Sequence, residues 1–208
     1  MDKKELVKIG AAYLWANIGA CVLAQSVLPS LAWVCNGIVL HTVHRLAHSA
    51  KSNVWCRAWY TAHVIGHHRN CYPIAKFQSV DYVLNADDPW NLNFWAYAVP
   101  GFFVTMALFV CTNPHWVPTT VTLVFLGANA HFENLVHEQL HLTKSTWIAK
   151  PWFRALERLH YIHHTPKTRK NFAVTAWMFD AILGTLEFPI AVAVNPLSSD
   201  IEAQKHVD

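Results

Sequence analysis

The chain has 208 residues, 53 % of them hydrophobic and 14 % charged, with sixteen Lys and Arg against thirteen Asp and Glu and a formal net charge of +3. That length suits one domain, residues 1–208, and so small a basic excess argues against a nucleic-acid surface. The placement of the charges is the stronger signal: residues 9–44 contain no Asp, Glu, Lys or Arg, and neither do residues 89–132. A charge near the centre of a bilayer costs roughly 2.5–3.5 kcal/mol on insertion scales, which is the pressure that empties such stretches.

In chain order, Met1-Asp-Lys-Lys-Glu5 is a charged leader whose apolar continuation runs on too far for a cleaved signal peptide. A transmembrane helix needs about 20 apolar residues, so each uncharged stretch has room for two. Pro29-Ser30 interrupts the first stretch, and the run Thr112 to Pro118 interrupts the second. The expectation is an all-α integral membrane protein with four spans in two hairpins, at about 9–28 with 31–48 and 90–111 with 119–141. Residues 49–89 and 142–194 would form a histidine-rich helical cap, and 195–208 a flexible tail. All sixteen basic residues lie outside the uncharged stretches. The positive-inside rule therefore places both termini and the cap on the cytoplasmic side, of a bacterial inner membrane or of the endoplasmic reticulum. Pro151–His164 reads as an amphipathic helix whose basic side suits lipid headgroups, and Phe172–Val194 as a surface cap, with a fifth span as the alternative. The five cysteines show no zinc or redox spacing and read as reduced packing residues.

Ten of the fourteen histidines form four clusters: His44 with His48; His63, His67 and His68; His137 with His141; and His160, His163 and His164. Residues three or four apart share a helical face, and imidazole is the commonest side-chain metal ligand. Ten imidazoles exceed the four ligands of a structural zinc site and suit two ions with about five each. Imidazole accommodates zinc, copper, iron and nickel; zinc has no redox chemistry, so a site that activates oxygen points to iron. The second cluster is irregular. In an α-helix His68 lies about 140° around from His63, so convergence of all three rings needs an extra residue absorbed, as in a π-bulge centred on Gly66.

The motifs His44-Arg-Leu-Ala-His48, His67-His68, His137-x-x-x-His141 and His160-x-x-His163-His164, with Asn171-Phe172 and Asp180-Ala-Ile-Leu-Gly-Thr185, resemble the membrane fatty acid hydroxylase/sterol desaturase superfamily over roughly residues 31–186. The additional residue between His63 and His67 departs from that family's pattern. The resemblance implies a histidine-bound dimetal site, with iron as the working metal and zinc as a substitute. Oxygen would be the co-substrate, a membrane lipid would be hydroxylated or desaturated at a C–H bond, and a separate electron donor (ferredoxin or a cytochrome b-type carrier with its reductase) would act as partner. The basic residues Arg57, Arg69, Arg154, Arg158, Lys167, Arg169 and Lys170 suit either docking of an acidic carrier or headgroup contact. The oligomeric state stays open.

Several other residues have two readings. His41 and His131 are either further ligands or hydrogen-bonded structural histidines. Glu133, Glu138, Asn171 and Asp180 would orient ligating imidazoles through their second nitrogen, although Asp180 equally suits a helix cap. Gly127 and Ala128 are expected to shape a substrate tunnel. The rival enzyme class rests on His137-Glu138-x-x-His141, the zinc-and-base string of an intramembrane metalloprotease, which leaves the other three clusters unused. A haem or metal-transport protein is the non-enzymatic alternative.

Overall fold

Long uncharged runs of good helix formers, broken only where turn residues gather, produce four long helices. The computed structural model describes residues 3–49, 57–83, 94–112, 115–165 and 169–189. The expectations for the tail, for Lys167 and for the first residues of the third span lie outside these. The first pair is α1 (Lys3–Ala24) and α2 (Leu28–Ser49). The break between them comes before Pro29, not at it. Gln25 takes the left-handed conformation (φ 49°). Gln25 N–H donates to Val22 C=O and Ser26 N–H to Cys21 C=O, the paired bonds of a Schellman stop. Ser26 Oγ then accepts from Leu28 N–H at 3.1 Å to start α2. Pro29 falls in the first turn of α2, where its missing N–H has no helical partner to lose.

After α3 (Arg57–Tyr60) the chain continues directly into an eleven-residue π-helix, Thr61–Cys71. The second pair of long helices is α4 (Phe94–Thr112), with Pro100 inside it, and α5 (Trp116–Leu140). The chain then forms α6 (Pro151–His164), with proline in its first turn, and the short α7 (Met178–Ile182). No strand occurs among the described residues; a single parallel bridge joins Ser79 to Leu142.

α2 packs against α1, α4 and α5, and α5 also touches α1 and α4. Two helices, Lys3–Ala24 and Trp95–Thr112, are long and apolar enough to cross a membrane. Only 22 % and 11 % of their apolar windows are buried, so neither behaves as the core helix of a soluble bundle. Large apolar side chains such as Trp15, Leu23, Phe103, Val110 and Val124 lie exposed on the outer faces. The buried core sits at the other end, where Phe153, Leu156 and Leu159 of α6 meet Leu6, Ile9 and Tyr13 of α1 and Val136 and Leu140 of α5. The amphipathic helix therefore turns its apolar side onto the ends of the bundle and leaves Arg154 and Arg158 exposed. Residues 169–189 do not form a fifth long helix. They run over the same end as a largely irregular segment that buries Val174, Thr175, Ala176 and Phe179.

A candidate dimetal centre

The α2, α5 and α6 ends and the π-helix bring nine imidazoles into two groups. His44, His48, His63, His68 and His163 form one; His67, His141, His160 and His164 form the other; in each, the candidate ligand atoms all lie within 4.8 Å of one another. The groups abut, since the His68 and His164 rings stack at 3.9 Å between centroids. His137 stands beside the second group, 4.9 Å from His67 and from His160 by ring centroids, but outside its ligand set.

Backbone geometry divides the rings. π-helical hydrogen bonds run from one residue to the fifth along, as in Tyr72 N–H to His67 C=O at 2.8 Å. Residues five apart therefore come into register, which puts His63 and His68 in the first group and His67 in the second. The deformation expected at Gly66 is present and extends over the whole segment. On α6 the i, i+4 pair His160 and His164 serves the second group while His163 serves the first. The one cluster that spacing makes of the three α6 histidines is thus shared between two groups.

Four rings are locked by carbonyl groups. His44 Nδ1 lies 2.6 Å from Phe172 O, His141 Nδ1 2.8 Å from Phe77 O, His163 Nδ1 3.0 Å from Lys170 O and His164 Nδ1 3.0 Å from Tyr72 O. A carbonyl only accepts, so each Nδ1 carries the hydrogen and each Nε2 offers a lone pair. Those Nε2 atoms converge. His63 Nε2 lies 2.7 Å from that of His44, 3.1 Å from that of His48 and 3.0 Å from that of His68. One ring nitrogen has a single hydrogen or a single lone pair in its plane, so it satisfies one of these three contacts. Nε2 of His67, His163 and His164 is buried with no partner at all. Burial first, then the proximity of other imidazoles, holds His63, His67, His68 and His160 well below the usual imidazole value. The same causes act on His163 and His164, against the raising effect of their carbonyl partners. Neutral, inward-facing, unpartnered nitrogens are what cations would complete, so the arrangement can hold metal ions.

The remaining candidates have other work. His41 Nε2–H donates to Thr185 Oγ1 at 2.7 Å, Thr185 donates to Asp180 Oδ1 at 2.7 Å, and His41 joins neither group. Asp180 accepts from Phe172 N–H at 2.8 Å and Ala173 N–H at 2.9 Å. It thus fixes the peptide whose Phe172 carbonyl holds His44, and its effect on that imidazole passes through backbone. Asn171, at φ 54°, uses its side-chain amide to hold the backbone, Nδ2 donating to Leu159 C=O and Glu187 C=O and Oδ1 accepting from Glu187 N–H. Glu133 accepts from Tyr13 and Thr175 and joins α1, α5 and the C-terminal segment. Glu138 accepts from Asn134 at 2.9 Å, and His131 is exposed. The carbonyl partners, Phe77, Tyr72, Lys170 and Phe172, were missed by sequence reasoning, because every residue type has a carbonyl and none leaves a trace in composition.

A cavity of about 830 Å³ lies between α2, α4, α5 and the π-helix, and His44, His63 and His137 line it. Its walls are mainly apolar, with Trp33, Leu40, Trp95, Val99, Ala130 and Phe179 among them. Gly127 and Ala128 are not part of the lining: nothing lies within 4 Å of a Cβ built on Gly127, and Ala128 is exposed. Gly37 has the opposite setting. A Cβ there would fall 2.1 Å from the Phe179 ring, so only glycine lets α2 and Phe179 close this wall. Arg57, Arg69, Arg154, Arg158 and Arg169 are exposed and Lys170 is half-buried.

Residues 30–185, about three quarters of the chain, match the family model described as fatty acid hydroxylase. No curated protein and no solved structure gives a significant match.

Proposed function

The chain belongs to the fatty acid hydroxylase family, and from that premise we propose that it is a membrane-embedded, oxygen-dependent hydroxylase or desaturase of a lipid C–H bond, working with two iron ions. The observation that supports this reading is the pairing of two abutting histidine groups with a large apolar cavity that reaches one of them. His44, His48, His63, His68 and His163 would hold one ion. His67, His141, His160 and His164 would hold the other, with His137 as a further donor beside it. Two irons, when bound, supply the binding and reductive activation of oxygen that attack on an unactivated C–H bond requires.

The chain's own part is positioning and exclusion. Carbonyls of Phe172, Phe77, Lys170 and Tyr72 hold four imidazoles in one tautomer, so the ligand atoms are set before any ion arrives. Apolar cavity walls exclude water and hold a hydrocarbon chain with one carbon at the end lined by His44, His63 and His137. In this reading all four long helices span the bilayer, the substrate enters from the lipid, and the histidine-rich end and both termini face the cytoplasm. Electrons come from a separate carrier, for which the exposed arginines offer a docking face.

The test is metal analysis of purified protein together with oxygen- and reductant-dependent turnover of a lipid panel. Two irons per chain and an oxidised lipid, lost in His163→Ala, are expected. One zinc per chain with a peptidase activity that disappears in Glu138→Gln would overturn the reading.

A further inference from the structure

The second histidine group is buried and does not reach the cavity, yet the proposed chemistry needs electrons brought to it from outside. Two stacked phenol rings lead outward from it. Tyr72 is fully buried and lies on His141 at 4.0 Å between centroids and 23° between planes. Tyr82 lies on Tyr72 at 5.6 Å and 26°. Tyr82 is half-buried, and its Oη is 3.4 Å from His137 Nδ1. The stack thus runs from a candidate ligand ring toward the surface in two near-parallel steps. Another aromatic path leaves His141 through Phe77 to Tyr161, but its rings meet at 59° and 80°, with little overlap of their faces.

The loop that carries these rings is pinned over the second group. Tyr72 C=O holds His164 Nδ1 at 3.0 Å, and Tyr72 Oη accepts from Val83 N–H at 2.5 Å. Ser79 N–H donates to His141 C=O at 2.8 Å, and Thr143 N–H donates to Ser79 C=O at 3.0 Å. The outer side of the same loop is apolar with a basic rim. Val80 and Val83, on either side of Tyr82 in the chain, are 63 % and 43 % exposed. Arg69 and Lys76 are exposed, and the pairing of Ser79 with Thr143 brings exposed Lys144 alongside. Of the acids nearby, Asp81 is exposed and Glu157 is engaged by Gln78 at 2.8 Å. An exposed apolar patch rimmed by positive charge suits an acidic partner.

We infer that residues 76–83 are the docking site of an acidic one-electron carrier, and that Tyr82 and Tyr72 bridge its electron to the second histidine group. The inference rests on the proposed function and adds where electrons enter. One electron leaves the reduced carrier, which is thereby oxidised, and a ferric ion at the second group becomes ferrous. The two rings serve as a tunnelling bridge, so no bond in the protein forms or breaks and no proton moves. Tunnelling weakens steeply with every gap between groups, which favours stacked rings over aliphatic packing. The site narrows the basic docking face to the part that lies over the closed group.

Two arms test it separately from lipid turnover. In the first, the iron-loaded full chain in nanodiscs carries a ruthenium photoreductant on Val80→Cys, with ascorbate as sacrificial donor, so no carrier is needed. A flash should reduce the ferric centre. Tyr82→Leu should slow that reduction several-fold at unchanged iron content, Tyr82→Trp should restore it, and Tyr161→Leu should leave it as it was. A rate indifferent to Tyr82, or sensitive to Tyr161 instead, would refute the route. The second arm follows association of a soluble, acidic iron–sulfur ferredoxin with the metal-free full chain. Lys76→Glu combined with Lys144→Glu should slow association about tenfold at low salt, and Arg57→Glu should not. No association, or equal slowing by Arg57→Glu, would refute the docking site. So would protection of Val80→Cys by lipid from a water-soluble thiol reagent, which would give the patch to the membrane. Iron reduced through Tyr82 with no lipid oxidised would leave the route in place and remove the proposed function.

Discussion

The five-histidine and four-histidine groups use the same side chain and share the π-helix and α6, yet they look onto different surroundings. The first draws His44 and His48 from α2, both half-buried, and two of its members, His44 and His63, line the cavity. The second is buried throughout. Tyr72 stacks on His141 at 4.0 Å, Phe77 packs against His141 and His164, and no member reaches the cavity. In the proposed enzyme the first group therefore faces substrate, and the second is a closed site held by the cap.

The largest expected effect ignores that difference. Imidazoles held below their usual value by burial occur in both groups, among them His63, His68 and His163 in the first and His67, His160 and His164 in the second. A histidine depressed in the folded chain stays neutral there while its unfolded counterpart takes a proton below about pH 6.5. The unfolded state then binds more protons, so stability is intact above that pH and falls as pH drops through it. Each such imidazole contributes about 1.4 kcal/mol per pH unit. Denaturant unfolding of metal-free protein between pH 7.5 and 5 should show this loss as one transition; a flat profile would mean the rings are not buried neutral.

Ligand removal separates the groups. His164→Ala leaves three imidazoles in the closed group, whereas His48→Ala leaves four in the other. His164→Ala should reduce bound metal from two ions toward one and turnover by more than ~100-fold, and His48→Ala should weaken metal affinity by about 10–100-fold. If metal content falls more in His48→Ala, ligand number is not what ranks the two sites. Asp180→Ala gives a smaller and one-sided effect. It frees the Phe172 peptide that holds His44, so affinity should fall by about tenfold at the first site only, read by competition with a chelator. Gly37→Ala should leave both ions bound. It pushes Phe179 off α2, with an overpacking cost of about 1–2 kcal/mol in thermal unfolding and a raised KM for lipid at unchanged metal content.

Much of this was readable without coordinates, for physical reasons. Helix class followed from charge-free length, and the turn regions from proline and its neighbours. The turn expected at Pro29-Ser30 nevertheless lies a few residues earlier, because Pro29 falls in the first turn of α2 while Gln25, a residue with no turn signature, does the stopping. The ten clustered histidines were visible as a metal signal because four-residue spacing has one common meaning in a helix. The irregular spacing at His63 pointed to a local π-type deformation, since an extra residue must go somewhere, but not to its extent over Thr61–Cys71 or to the parting of His67 from His63 and His68.

Sorting the rings into a five and a four was beyond any pattern in the chain. It depends on a π-helix that brings residues five apart into register and on how α6 is rotated between α2 and α5, and both are properties of packing. The same holds for the carbonyls that hold the imidazoles and for the Asp180 contact that acts through a peptide. One-dimensional spacing reports which side chains lie on a shared face of a single helix. Which faces of different helices meet, and which polar atoms they strand between them, is settled only when the helices pack.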